Sequence, residues 1–213
     1  MKKLLLIFGT AMLFVACDKM KNTSEKESEK TDPSTTNSDW KPVDSATANK
    51  AWMEYATPGE PHKMLAKSSG TWTGEVTMWM SPNAKPSIST STSTNKMVMD
   101  GRYQLSEFQG NFMGMPFLGM STTAYDNAKK VFVSTWIDNM GTGIMKMEGP
   151  WDEATKSTTL TGKVVEPFSG RECDFKEVYK IIDDNNQLME MYGPDPKTGK
   201  QFKTMEIKLT RKK

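Results

Sequence analysis

The sequence has few of the residues that build common catalytic and metal sites. It contains one histidine, His62, and two cysteines, Cys17 and Cys173. A single histidine excludes a site with several histidine ligands, and two cysteines cannot form a disulfide framework. The sequence also has no nucleophile elbow and no glycine-rich phosphate loop. We therefore expect no metal and no cofactor, and we expect His62 to lie at the surface or to cap a helix.

The sequence also has no large excess of positive or negative charge. The chain has 28 Lys and Arg residues against 26 Asp and Glu residues. Lys2 and Lys3 lie at the extreme N-terminus, and without them the totals are equal, 26 against 26. A neutral body lacks the basic surface that nucleic-acid binding requires, so no nucleic-acid partner is expected.

The N-terminus has the organisation of an export signal. Two lysines precede an apolar run over residues 4–15, and Ala16 is a small residue directly before Cys17. This order defines a secretory signal, and the run is too short to span a bilayer, which needs about 20 apolar residues. The segment 14–17 resembles the lipobox of bacterial lipoproteins. The resemblance implies a signal peptide over residues 1–16, lipidation of Cys17 and attachment to a membrane of the cell envelope.

The segment that follows shows no hydrophobic periodicity. Charged residues of both signs are mixed over residues 18–30, and Ser, Thr, Asp and Asn dominate residues 31–39. Such a segment buries too little apolar area to offset its conformational entropy. We interpret residues 17–49 as the lipidated cysteine and a disordered tether, and residues 50–213 as one domain. With Cys17 lipidated, we expect Cys173 to be a buried small hydrophobic side chain, with a reactive thiol as the alternative.

Alternation of apolar and polar residues dominates the sequence from Thr71 onwards. Groups of Asp, Asn, Gly and Pro separate the alternating runs, as at residues 183–186 and 193–199. Many short strands without helical patterns between them indicate an antiparallel meander, and such a long sheet needs closure to hide its edges. The prediction is an all-β fold, an antiparallel up-and-down β-barrel of about eight to ten strands, with a sandwich as the second choice. A short helix over residues 61–68 is predicted before the first strand, because Pro61 suits a first helical turn.

Two residues near the ends of the predicted sheet suggest how the barrel closes. Trp72 follows Gly70 at the start of the first strand, and Arg211 lies on the inward face of the last strand. A flat guanidinium can stack on an indole ring. The arrangement resembles the barrel closure of the lipocalins and the wider calycin superfamily. We therefore predict that Trp72 and Arg211 meet at one end of the barrel.

The central part of the chain resembles a bacterial family of unknown function, DUF1579. The resemblance is carried by residues 110–117 (GNFMGMPF), 124–127 (AYDN), 136–143 (WIDNMGTG) and 167–170 (PFSG), and more weakly by residues 70–72 and 205–207. It covers most of residues 55–211. The resemblance implies a calycin-like, lipocalin-like barrel, and it implies no known activity.

Methionine is unusually frequent, with 18 in the chain. Ten of them form five pairs spaced two residues apart, which puts both members of a pair on one face of a strand. If those faces point inward, flexible thioethers line the interior. Ordinary core packing, a hydrophobic ligand cavity and thioether binding of Cu(I) all remain open. The candidate ligand-lining residues are Trp72, Met78, Met80, Met97, Met99, Met113, Met115, Met145, Met147, Met189, Met191 and Glu177.

Acidic residues within or beside the strands are the remaining candidates for chemistry: Asp138, Glu148, Glu166, Glu177 and Glu190. Glu177 differs from the others because apolar and aromatic residues at 175, 179 and 181 share its face. A carboxylate inside a barrel needs a raised pKa or a cationic partner, and it can orient a ligand or act as a base. A structural ion pair is the alternative for the same residue.

The segment from Phe112 to Met120 is uncharged, apolar and contains glycine. It is either a flap over the barrel mouth or a buried bend, because glycine permits tight backbone turns.

Together these features favour a membrane-anchored lipoprotein that binds a small hydrophobic or amphipathic ligand in its barrel. The alternative is a structural or interaction lipoprotein with a solid barrel and a protein partner. An enzyme, which we favour least, would need at least two carboxylates converging in one pocket. The membrane is the expected partner through the N-terminal lipid, and the sequence names no protein partner.

Overall fold

The computed structural model describes residues 41–167 and 169–213. These residues form two helices and eleven strands. The helices are α1 (Ser45–Ala56) and α2 (Glu60–Lys67). The strands are β1 (Gly70–Met78), β2 (Ser87–Val98), β3 (Tyr103–Phe112), β4 (Met115–Asp126), β5 (Val131–Asp138), β6 (Met145–Gly149), β7 (Trp151–Asp152), β8 (Ser157–Glu166), β9 (Arg171–Ile181), β10 (Asn186–Pro194) and β11 (Gln201–Arg211).

The first helix, α1, begins within the segment that we interpreted as tether. Asp44 caps it, because its Oδ1 accepts hydrogen bonds of 3.0 Å from the backbone N–H groups of Ala46 and Thr47. None of its residues is buried, and its apolar side chains, including Trp52 and Tyr55 with ring centres 5.9 Å apart, lie at the surface. The helix is held to the barrel by Asn127, whose side-chain amide donates to backbone oxygens at its C-terminal end.

The second helix, α2, is the short helix that the sequence predicted before the first strand. Pro61 lies in its first turn, where a missing backbone N–H costs nothing. Met64 and Leu65 pack on a core cluster of the barrel. The helix therefore closes one end of the barrel, which we call the closed end.

The strands form a single antiparallel sheet. Apart from β6 and β7, strands that are consecutive in the sequence pair with each other, and the sheet closes where the first strand pairs with the last. β1 pairs with both β2 and β11, so the first and last strands lie side by side. β6 and β7 are separated only by Pro150, and both pair with β8. They are two halves of one strand, so the closed barrel has ten strands. This confirms the predicted all-β up-and-down barrel of eight to ten strands.

The close pairing of β6 with β8 depends on two glycines. A Cβ atom on Gly149 would overlap the backbone oxygen of Thr159, and one on Gly162 would overlap the backbone oxygen of Lys146. The strands thus approach more closely here than any side chain would allow. Glycine at these two positions lets the two strands pair this closely.

The core of the barrel consists of two clusters rather than one filled centre. Trp72, Val76, Ile207 and Leu209 form the first, on β1 and β11. Phe132, Met147 and Leu160 form the second, on β5, β6 and β8. The whole sheet, both helices and both clusters lie within one compact unit, Val43–Lys213. No helix among the described residues is long and apolar enough to cross a membrane.

Candidate functional site

The barrel is hollow. A cavity of about 460 Å³ lies inside it, and its walls include side chains from every strand and from α2. This volume lies within the range of about 300–1,000 Å³ that is typical of small-ligand pockets. The end opposite α2, formed by the β1–β2, β3–β4, β5–β6, β8–β9 and β10–β11 connections, carries no plugging helix. We call it the open end.

One wall of the cavity, formed by β2 to β5, carries small hydroxyl side chains beside the aromatic rings of Phe108, Phe117 and Trp136. Alternate residues of β2 supply the first row, and β3, β4 and β5 continue it across the sheet. These hydroxyl residues are Ser89, Ser91, Ser93, Ser106, Ser121, Thr123 and Ser134. Because serine is small, this wall leaves space that larger residues would fill. The Ser91 Oγ and Asn95 Oδ1 atoms are buried without a hydrogen-bond partner among the described residues, so the wall offers polar atoms to a ligand or to water.

The facing wall is made of thioether and aromatic groups. It is formed by β1 and by β6 to β11, and its large side chains are Met78, Met145, Met147, Trp151, Leu160, Phe175, Met189, Met191 and Met205. Methionine side chains are flexible and polarizable, so they adapt to apolar groups of different shape. A hydroxyl wall facing a thioether wall gives the cavity an amphipathic lining.

Glu177 places a carboxyl group in this apolar wall. On β9 it lies directly opposite Leu160 of β8 and Met191 of β10. It has no hydrogen bond or ion pair with any described residue, and its remaining accessible surface faces the cavity. Burial raises the pKa of Glu177 from 4.5 to about 7, because no charged partner compensates the lost hydration.

Two further ionisable groups line the cavity, and both have protein partners. The Tyr179 hydroxyl is hydrogen-bonded to Gln187, and burial together with the neighbouring Glu177 raises the pKa of Tyr179. The Asp138 carboxylate, at the open end, accepts hydrogen bonds from the Trp136 indole at 2.7 Å and from the backbone N–H of Met140 at 2.9 Å. Glu177 alone among the three has no partner.

The closed end is fixed by hydrogen bonds between α2 and the barrel. The Gln104 amide donates to the Leu65 carbonyl oxygen at 2.6 Å and to the Ser68 hydroxyl at 2.7 Å. The Trp72 indole N–H donates to the Ser68 carbonyl oxygen at 2.9 Å. These bonds satisfy the carbonyl groups at the C-terminal end of α2, so the helix can be buried there.

Comparison with known families agrees with the sequence resemblance. The model of the family DUF1579, described as a protein of unknown function, matches residues 57–211. This chain belongs to the DUF1579 family. The match spans the barrel from before α2 to the last residue of β11. A search of curated proteins gives no match.

Solved structures share the barrel fold with this DUF1579 protein. Rv2717c from M. tuberculosis has a TM-score of 0.56 at 13% identity, and the match covers 73% of this chain and 100% of that one. The S-type phycobiliprotein lyase CPES from Guillardia theta has a TM-score of 0.52 at 8% identity, covering 76% of this chain and 97% of that one. At these identities the likeness shows the fold alone.

Two segments that carry the DUF1579 resemblance lie at the open end. Residues 110–117 are the tip of the β3–β4 hairpin, and residues 136–143 are the end of β5 and the loop after it. The Met113–Gly114 turn has positive φ angles of 52° and 86°, as a tight two-residue hairpin requires. The segment from Phe112 to Met120 is thus an exposed hairpin tip, nearer to the flap than to the buried bend, and Phe112 and Phe117 line the cavity.

The predicted lining residues of this DUF1579 protein divide into two groups. The structure brings six of them together around the cavity: Met78, Met145, Met147, Met189, Met191 and Glu177. The others lie outside its walls: Trp72, Met80, Met97, Met99, Met113 and Met115.

Three residues of the second group lie outside the cavity because the alternation of inward and outward side chains stops where a strand ends. Met80 lies two residues after the end of β1, Met99 lies in the turn after β2, and Met113 lies in the turn after β3. These three side chains are 62–70% exposed. Met115 is exposed as the first residue of β4, and Met97 is half-buried near the closed end. Trp72 is fully buried in the first core cluster, at the closed end.

The remaining acidic candidates lie outside the cavity. Glu148 forms an ion pair with Lys129 at 3.0 Å, and Glu190 forms one with Lys203 at 3.0 Å. Glu166 accepts a hydrogen bond from the backbone N–H of Ser169. Only Glu177 and Asp138 of the five therefore face the interior.

The single histidine caps a helix. Nδ1 of His62 accepts a 3.0 Å hydrogen bond from the backbone N–H of Gly59, before the first turn of α2. Burial lowers the pKa of His62, which keeps the ring neutral and able to accept this bond. His, Cys, Asp and Glu form no group of three that could hold a metal ion within the described ranges. Cys173 is half-buried, contrary to the expected buried position, because it lies near the open end of β9.

Sequence reasoning missed the hydroxyl wall. The segment SISTSTSTN, residues 87–95, alternates serine with other residues at a period of two. A strand with serine on its inward face cannot fill a barrel. This alternation was the signal for a hollow interior, and it was available before the structure.

Proposed function

We propose that this protein is a membrane-anchored lipoprotein that binds a small hydrophobic or amphipathic ligand inside its barrel. The observation that carries the proposal is the cavity of about 460 Å³, with a hydroxyl wall facing a wall of methionine and aromatic side chains. A solid barrel would have large residues at the positions of Ser91, Ser106 and Ser121. The amphipathic lining suits a molecule with an apolar body and a small polar group.

The binding proposal is tested by looking for a small molecule that accompanies the protein. Full-length protein purified from its own organism is examined by native mass spectrometry. The substitution Ser121→Phe places a ring in the cavity beside Ser106 and Trp136, whereas Thr122→Phe places the same ring on the next residue, which does not line the cavity. We expect an added mass in the parent protein and in Thr122→Phe, and its loss in Ser121→Phe. Empty parent protein in repeated preparations would contradict the proposal.

The lipid anchor rests on the sequence, since Cys17 lies outside the described residues. Each buried methylene of an acyl chain contributes about 0.8 kcal/mol, so two or more chains hold a protein firmly at a membrane of the cell envelope. Cells fed a labelled fatty acid should transfer the label to the parent protein but not to Cys17→Ser. Release of the unchanged parent protein in soluble form would contradict anchoring.

A second candidate function, docking of a protein partner, is favoured by one surface. Six exposed apolar side chains lie at or near the open end: Met113, Met115, Leu118, Met120, Ile137 and Ile144. Contiguous exposed apolar surface often marks an interaction site. A photo-crosslinker at position 113 should capture one partner in cells, while the same probe at position 99, equally exposed at the closed end, should capture none. Capture of nothing at 113 would remove this candidate.

A further inference from the structure

The ionisable side chains that line the cavity are all acids. They are Asp138, Glu177 and Tyr179, and no described Lys, Arg or His side chain reaches the cavity. The lining can therefore accept hydrogen bonds from a ligand and can become negative, but it has no cation for an anionic ligand. A fatty carboxylate would be buried without a counter-charge, which is strongly unfavourable.

Only one of these acidic groups is free to meet a ligand. The Asp138 carboxylate already accepts two hydrogen bonds at the open end, and the Tyr179 hydroxyl is held by Gln187. Glu177 lies in the middle of β9, between Leu160 and Met191 on the neighbouring strands. Its carboxyl group faces the cavity, and no described residue donates a hydrogen bond to it.

A buried carboxylate without a partner is costly, and a ligand that supplies the partner recovers this cost on binding. A protonated amine is the group that does so best, because it carries both a positive charge and several N–H donors. An alcohol supplies one neutral donor, and a carboxylate supplies repulsion. The surrounding thioether and aromatic groups can cover an apolar tail attached to the same molecule.

We propose that Glu177 recognises a cationic amine, so that the cavity selects amphipathic amines over alcohols of equal length and excludes the corresponding carboxylates. This inference rests on the proposed ligand-binding function and specifies the chemical class of the ligand. The selectivity depends on pH, since the carboxyl must be ionised to pair with the amine. Tyr179, two residues further along the same face of β9, interacts electrostatically with Glu177, and the cross-strand neighbours Leu160 and Met191 bring no charge. The elevated pKa of Glu177 places the change near pH 7.

Three probes that share an eight-carbon tail test the inference: octylamine, 1-octanol and octanoate. Each is titrated into residues 43–213, which contain the complete sheet and both core clusters, and binding is followed by the fluorescence of Trp136 and Trp151 in the cavity wall. At about pH 8.5 we expect octylamine to bind at least about tenfold more tightly than 1-octanol, the gain of one charged hydrogen bond, with octanoate weakest. At about pH 5.5 the preference for the amine should shrink.

Glu177→Gln should bring octylamine within about twofold of 1-octanol while 1-octanol still binds. Glu190→Gln, which alters an acidic residue outside the cavity, should keep the preference of the parent protein. Equal affinity for the three probes, or tightest binding of octanoate, would overturn the amine inference and leave the cavity function standing. Binding of none of them would overturn both. The comparison of probes on the parent protein needs no variant, so it holds even if Glu177→Gln fails to fold.

Discussion

Arg211 covers the ring of Trp72, with its guanidinium carbon 4.2 Å from the ring centre. The two residues lie directly opposite each other on β11 and β1, the last and first strands of the barrel, which pair with each other. The guanidinium also donates hydrogen bonds to the carbonyl oxygens of Lys67, Ser69 and Asp184. One side chain thus connects α2, the start of β1, the turn before β10 and the last strand.

Replacing Arg211 should therefore destabilise the closed end. Arg211→Ala removes the cation–π contact and three charge-assisted hydrogen bonds, and we expect a loss of about 2–4 kcal/mol in the free energy of unfolding. Arg211→Lys should recover only part of it, since an ammonium lacks the planar fork. Urea denaturation measures both. Lys208→Ala, an exposed position on the same strand, should change stability by less than about 1 kcal/mol, and an equal loss there would refute the role given to Arg211.

The two glycines between β6 and β8, Gly149 and Gly162, lead to a separate prediction. Gly162→Ala places a methyl group against the backbone oxygen of Lys146, so β6 and β8 must move apart. We expect a loss of about 3 kcal/mol, the upper range for overpacking, because a backbone cannot rotate away as a side chain can. Gly143→Ala is the matched control, as nothing lies within 4 Å of its added methyl group. Thermal unfolding of both variants measures the difference. A Gly162→Ala protein as stable as the control would show that β6 and β8 do not need a glycine at this position.

Glu177 should make stability depend on pH. Below its ordinary pKa of 4.5 the carboxyl is protonated in both the folded and unfolded states and has no effect. Between 4.5 and about 7 the unfolded chain releases this proton while the folded protein keeps it, so stability falls as pH rises; above about 7 the loss is constant. The full effect is about 3 kcal/mol.

The difference in stability between Glu177→Gln and the parent protein isolates this effect, because other titrating groups cancel. Urea denaturation at about pH 5 and about pH 8.5 should show the variant gaining relative stability at the higher pH. A difference that does not change with pH would show that Glu177 titrates normally and faces bulk solvent.

Much of the fold could be predicted because period-two alternation is strong and the turns are marked by Asp, Asn, Gly and Pro. The short helix α2 was also visible through Pro61. The helix α1 was not predicted, because its first half, residues 45–50, is polar and continues the polar segment before it, and none of its residues is buried. The helix does show helical spacing of apolar residues, at Ala48, Trp52 and Tyr55, although it lies at the surface.

The cavity could be predicted only in part, for a related reason. Met145, Met147, Met189 and Met191 lie inside strands and line the cavity, whereas Met99 and Met113 lie in turns and do not line it. Strand boundaries are thus the point at which face assignments from sequence break down. The serine alternation of β2 indicates small side chains on the inward face, but which residues lie opposite them depends on how the sheet closes.

The central claim is that the barrel interior is space for a ligand, and calorimetric titration of 1-octanol into residues 43–213 tests it most directly. Burial of an apolar tail should give saturable one-site binding whose enthalpy becomes more negative as temperature rises, the sign of a negative heat-capacity change. Ser121→Phe should abolish the binding heat and Thr122→Phe should keep it. Heat that never saturates, or equal saturable binding by Ser121→Phe and the parent protein, would contradict the claim.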